Sequence, residues 1–243
     1  MITQEHILRA FKAANPNMAC TAKHFPGDGV EELDQHLVMG VNNLSVDEWE
    51  ESFGKVYRTL IDEGLEAIMV GHIALPEMSR KLVPGIEDKD IKPATLSKEL
   101  LTDLLREDMN FNGLVITDAS HMVGMSATSK RCDAVPGAII AGCDMFLFAN
   151  DIAEDMAYVR KAYEDGLLTE ERLEEAVRRI LGMKAHLNLT DESVIIPDKK
   201  ELDNIGCEAH RECAKRQPMS VSLLLRIHIR IFQLTLTKRN AYF

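Results

Sequence analysis

The chain lacks a basic surplus: 28 Lys and Arg stand against 39 Asp and Glu in 243 residues, a formal net charge of −11. That balance excludes a general nucleic-acid surface, which gathers cations over phosphates, and it disfavours docking on an anionic membrane. No apolar run reaches the ~18 residues a membrane helix requires. The opening MITQEHILRAFKAANPNM has no basic stretch followed by an apolar one, so a secretory leader is not expected. The five cysteines are odd in number and form no C-x-x-C pair. They read as reduced thiols of a cytoplasmic protein, with a lone Cys nucleophile as the alternative. No G-x-G-x-x-G or Walker sequence calls for a nucleotide cofactor, and no H-x-x-x-H or H-E-x-x-H arrangement supports a metal. Fourteen glycines and eight prolines are too few for a fibrous or disordered chain. What is present is 46% hydrophobic residues, enough for a sizeable core in one large domain or two small ones.

Short apolar runs alternate with helical periods. The runs are residues 18–25, 65–73, 113–119 and 143–150, each apolar nearly throughout, as strands buried on both faces are. Residues 46–63 place Trp49, Phe53, Tyr57, Leu60 and Ile61 on one stripe, behind a Ser45–Glu48 capping box and before Gly64. Residues 98–108 carry four inward leucines behind Ser97. Residues 152–164 form another helix, and Thr169 caps the next, whose acidic start and basic end suit the helix dipole. This alternation predicts parallel βαβ units, about four of them, half of an eight-unit barrel. A doubly wound sheet has the same local signature. Residues 1–190 would form the barrel portion and 191–243 a linker and tail. In that tail no Asp or Glu follows Glu212, and residues 220–237 read as a β-segment.

Two clusters carry chemistry-bearing side chains. Asp118 ends the strand LVIT, where ligands bind in parallel βα folds. It could act as nucleophile, base or ligand, or simply cap the next turn. The second cluster, AKHFPGDGVEELDQHL, holds Lys23, His24, Asp28, Asp34 and His36. It lies in a connection about twenty residues long, and loops of that length inside compact domains are usually functional. Asp34 can fix the tautomer of His36 and raise its basicity. His72 stands at the end of the 65–73 run and faces the same rim. It and His121 are either catalytic or hydrogen-bonded rim residues without chemistry.

Together, KHFPGDG with D-Q-H downstream and then GLVITDAS resemble glycoside hydrolase family 3, especially its bacterial β-N-acetylhexosaminidase-like members, over about residues 18–190. The resemblance implies the C-terminal half of a TIM-like (β/α)8 barrel that retains anomeric configuration. Asp118 would be the nucleophile forming a glycosyl-enzyme, His36 held by Asp34 the general acid/base, and Lys23 and His24 ligands of sugar hydroxyls. The substrate would be a β-linked N-acetylhexosaminide or related β-glycoside, and no cofactor or metal is implied. Where these relatives usually have His, in K-H-F-P-G-H-G, this chain has Asp28. The resemblance also implies that the family's first four barrel strands lie outside this sequence. A β-glucosidase-type member, a non-catalytic fragment and a flavodoxin-like ligand-binding domain are the alternatives. A half barrel would leave two open sheet edges for a second copy to pair with.

Overall fold

The structure, a computed structural model, describes residues 4–191 and 199–215. The chain divides into two units after Thr190. In the first unit the β-branched runs form a four-stranded parallel sheet of β1 (Thr21–Phe25), β3 (Ala67–Val70), β5 (Leu114–Ala119) and β6 (Met145–Leu147), in that order. The order follows the chain without reversing. That decides between the two expected architectures, because a doubly wound sheet reverses at its switch point whereas barrel strands succeed one another. A second, two-stranded parallel sheet pairs β2 (Gly40–Val41) with β4 (Ile73–Ala74). It pins the long loop after β1 to the segment after β3.

Helices connect the strands. Helix α1 (Gln4–Ala14) precedes β1. Helices α2 (Val46–Trp49) and α3 (Lys55–Asp62) are joined by a π-turn, Glu50–Gly54, and the Ser45–Glu48 capping box is formed at their start. Helix α4 (Pro76–Leu82) and a π-helical segment, Glu99–Asp108, lead to β5. Ser97 Oγ accepts from the Leu100 amide, as expected of a cap. Helices α5 (Val123–Ser126) and α6 (Arg131–Ala141) lead to β6, and α7 (Ile152–Glu164) and α8 (Glu170–His186) follow, capped by Asp151 and Thr169.

The core gathers Phe25, Trp49, Ile68, Leu100, Leu101 and Leu105, all fully buried. The Trp49 ring meets Phe25 edge-on, and its Nε1–H donates to the Pro26 carbonyl at 2.7 Å. The expectation that every strand is buried on both faces needs correction. The central strands β3 and β5 are largely buried, but Thr21 and Lys23 of β1 and Met145 of β6 are exposed, because β1 and β6 are the edges of the sheet. Among the described residues no helix is long and apolar enough to cross a membrane. The second unit contains a 3-10 helix, Lys199–Asn204. The β-segment expected at 220–237 lies outside the described residues.

Candidate functional site

The C-terminal ends of β1, β3 and β5 carry His24, His72 and Asp118 to one rim. Parallel pairing of Thr21 with Ala67, and of Ala67 with Leu114, sets these strands level. The loop after β1 is shaped by buried anchors. Trp49 Nε1 and Asn42 Nδ2 donate to the carbonyls of Pro26 and Gly27, while Gly27 sits at φ +136° against Phe53. The Lys23–His24 and Phe25–Pro26 peptide bonds are cis.

His24 stands between two carboxylates. Its Nε2 lies 3.4 Å from Asp118 Oδ2 and its Nδ1 lies 3.2 Å from Asp28 Oδ2. The other oxygen of Asp118 accepts from the Ala119 amide at 2.7 Å. Asp118 thus caps its own turn with one oxygen and presents the other to an imidazole at the rim. Its side chain is 15% exposed, open enough to be reached and shielded enough to be oriented. Lys23 is exposed, and with His24 it borders a cavity of about 680 Å³ that also takes in Ile7, Phe11, Phe53 and Tyr57.

His36 and Asp34 form the expected pair. Nδ1 of His36 is 2.7 Å from Asp34 Oδ1, which also accepts the His36 amide at 2.9 Å. These two bonds hold the Asp34 carboxyl below its ordinary value. Both side chains are mostly exposed. Among the described residues no hydrogen bond joins His36 to Asp118. The loop that carries His36 is nevertheless docked beside Asp118: the amides of Val123 and Gly124 donate to the carbonyls of His36 (3.4 Å) and Gln35 (3.1 Å). Val123 and Gly124 open α5, the first helix after Asp118's strand.

Sequence reasoning missed Gln35, which is 6% exposed and ties the rim together. Its Nε2 donates to Asp28 Oδ2 at 2.9 Å, its Oε1 accepts from the His72 amide at 2.8 Å, and its carbonyl takes the Gly124 amide. Gly124 was missed too. A Cβ there would lie 2.9 Å from His72 Cβ and 3.0 Å from the Gln35 carbonyl oxygen, so only glycine admits the loop this closely. A polar residue between an Asp and a His gives no periodic signal of its own, and a lone Gly gives only a weak one.

His72 is fully buried. Its Nε2 donates to the Ala119 carbonyl at 3.1 Å and its Nδ1 meets Thr95 Oγ1 at 2.9 Å. Burial pushes its ionisation below the ordinary histidine value, outweighing the Ala119 carbonyl and Asp118, which act the other way. Through its bond to the Ala119 carbonyl, His72 braces the tip of β5. His121 is exposed on the rim beside Phe148, with ring centroids 5.9 Å apart. Among the described residues no group of three or more His, Cys, Asp or Glu is arranged to hold a metal ion.

A parallel sheet with a carboxylate at a central strand's C-terminal end, faced by one imidazole and flanked by a second carboxylate-held imidazole, defines a site suited to nucleophilic and acid/base chemistry on a polar substrate. The Glycosyl hydrolase family 3 N terminal domain matches residues 3–183, and the chain belongs to that family. Over 172 residues it is 54% identical to a β-N-acetylglucosaminidase/β-glucosidase of Cellulomonas fimi, covering 71% of this chain and 30% of that protein. A β-hexosaminidase of Methylobacillus flagellatus is 33% identical over 133 residues, 55% of this chain and 35% of that one. Among solved structures, the β-glucoside phosphorylase BglX superposes with a TM-score of 0.81 at 42% identity, covering 86% of this chain and 37% of that one. A family 3 β-N-acetylglucosaminidase from Paenibacillus sp. superposes with a TM-score of 0.69 at 26% identity, over 80% of this chain and 36% of its own. The chain thus spans about a third of the length of these relatives.

Proposed function

We propose that this chain carries the nucleophile and acid/base half of a retaining β-glycosidase site for β-linked N-acetylglucosaminides or glucosides. The single observation that carries the proposal is the meeting at one rim of Asp118, faced by His24, with a loop bearing a formed Asp34–His36 pair. Asp118 attacks the anomeric carbon and its oxygen forms the glycosyl ester as the leaving oxygen departs. His36 donates its Nε2 proton to that oxygen, while Asp34 holds Nδ1–H and balances the imidazolium charge. In the second step His36 takes a proton from water, which attacks the same carbon and releases Asp118. Lys23 and His24 bind sugar hydroxyls, and His24 also keeps the Asp118 carboxylate aimed.

A second reading concerns the acceptor. The structural relative of TM-score 0.81 is named a phosphorylase. An imidazole acid/base places no second anion beside the glycosyl ester, so a phosphate oxygen could approach and leave with the sugar as its 1-phosphate. Assays of the purified chain on aryl N-acetyl-β-glucosaminide and aryl β-glucoside, with and without phosphate, separate the readings. Free sugar supports hydrolysis and sugar 1-phosphate supports phosphorolysis. No release from a chain with native circular dichroism supports the third reading, a fragment without catalysis of its own. The edges of β1 and β6, unpaired by any strand among the described residues, favour self-association, which sedimentation would detect as a dimer. A cytoplasmic setting belongs to the same proposal, on the reduced-thiol reading of the cysteines.

A further inference from the structure

Three non-glycine residues among those described have positive φ: Asn110, Asn188 and Phe148. Asparagine enters this region readily, but a bulky aromatic at φ +58° is an outlier. Phe148 gains little from burial in return, for it is 60% exposed. Neighbouring groups hold it there. Ser120 donates its hydroxyl to the Phe148 carbonyl and its amide to the Leu147 carbonyl. Ser120 is itself buried and accepts from the Arg131 guanidinium at 3.3 Å, and Arg131 Nε is fixed by Asp155 at 2.7 Å. Strain that is held in place without packing gain marks a functional position.

The position is the site's own rim. Ala119 pairs with Leu147, so Phe148 leaves β6 beside the residues that follow Asp118. His121, three residues past Asp118, packs its ring at 43° to Phe148 and makes the exposed surface a two-ring one. A β-gluco-configured pyranose has its hydroxyls around the equator and bare C–H bonds on its faces. Those C–H groups carry slight positive charge, and an aromatic face is negative.

We propose that Phe148, backed by His121, is a stacking platform for the apolar face of the pyranose presented to Asp118, and so a specificity-determining residue. This rests on the glycosidase reading above. Ser120, Arg131 and Asp155 are its positioning residues.

The test is calorimetric titration of the full chain with N-acetylglucosamine and with glucose, alongside thermal unfolding, for wild type, Phe148→Tyr, Phe148→Ala and Phe148→Gly. Phe148→Tyr keeps the ring and should bind within about two-fold of wild type. The other two should weaken binding roughly ten-fold. Phe148→Gly should do so with a thermal midpoint equal to or above wild type, because glycine adopts this backbone freely. A purely structural Phe148 would lose affinity only in step with the midpoint, and that result overturns the platform. Unchanged affinity in Phe148→Ala and Phe148→Gly, with wild type binding sugar, overturns the platform alone. Wild type that binds neither sugar while Trp49 reports a folded core overturns the glycosidase reading, and the platform with it.

Discussion

Asp144 is the buried charge on which the underside of the sheet depends, and replacing it with Asn gives the sharpest stability prediction. Its side chain has no solvent exposure. One oxygen accepts from the Val115 amide at 2.9 Å and Arg106 at 2.7 Å, and the other accepts from Arg172 at 2.7 Å and Arg179 at 3.4 Å. Burial already pulls the Arg106 guanidinium below its ordinary value, and the neighbouring arginines add to that, so the Asp144 charge is what keeps this cluster tolerable. Three charge-assisted bonds at about 1.5–3 kcal/mol each would overstate the loss. Each arginine keeps other acceptors: Arg106 the Phe111 carbonyl, Arg172 the Ile139 and Cys143 carbonyls, and Arg179 Asn112. The expected cost is therefore that of breaking one buried ion pair, about 3–5 kcal/mol. Trp49 is the chain's only tryptophan and is fully buried in this unit, so urea unfolding followed by its fluorescence reads the effect. Asp165→Asn, which removes the exposed partner of Lys161, is the control and should leave stability close to wild type, because solvent screens a surface pair. A loss below about 1 kcal/mol for Asp144→Asn would refute the idea that this cluster is held by its one anion.

Other outcomes follow from the rim. Gly124→Ala should cost about 1–3 kcal/mol, because the added methyl meets His72 and the Gln35 carbonyl, and thermal unfolding checks it. The same substitution should lower turnover by displacing His36. His72 has a depressed ionisation in the fold, so the unfolded chain binds a proton there first as pH drops. Stability should thus fall as pH decreases below about 6.5, and His72→Gln should flatten that part of the profile in urea titrations across pH. His36→Ala should slow substrates with poor leaving groups more than activated aryl glycosides, since only the former need a proton. Equal loss on both would remove His36 from the acid role. Asp34→Asn should act in the same direction as His36→Ala and more weakly, read from the same pair of substrates.

Much of the fold was legible because its signals are local. Continuous apolar runs located all four strands of the main sheet, and the Ser45–Glu48 box and Thr169 located helix starts from chemistry that needs no distant partner. What escaped depends on contacts far apart in sequence. Helix α6 contains Pro136 and is buried almost all round, so it shows neither a stripe nor an uninterrupted helical composition. The two-residue strands β2 and β4 are too short for any period. At the site, Asp118, His24 and the Asp34–His36 pair were readable as reactive types in a loop and at a strand end. Gln35, Gly124 and the strained Phe148 were not, because their importance lies in hydrogen bonds, close approach and backbone angle. Arg179 of α8 reaches inward to Asp144, a contact that no local sequence pattern signals.

The central claim is that Asp118 bonds covalently to a sugar. Incubating the chain with an activated aryl 2-deoxy-2-fluoro-β-glucoside, followed by digestion and mass spectrometry, reads that bond directly, since the fluorine slows breakdown of the glycosyl ester. The account predicts one added sugar on the peptide containing Asp118, absent in Asp118→Asn. A label on any other carboxylate, or turnover of aryl glycosides with Asp118 unmodified, would contradict it.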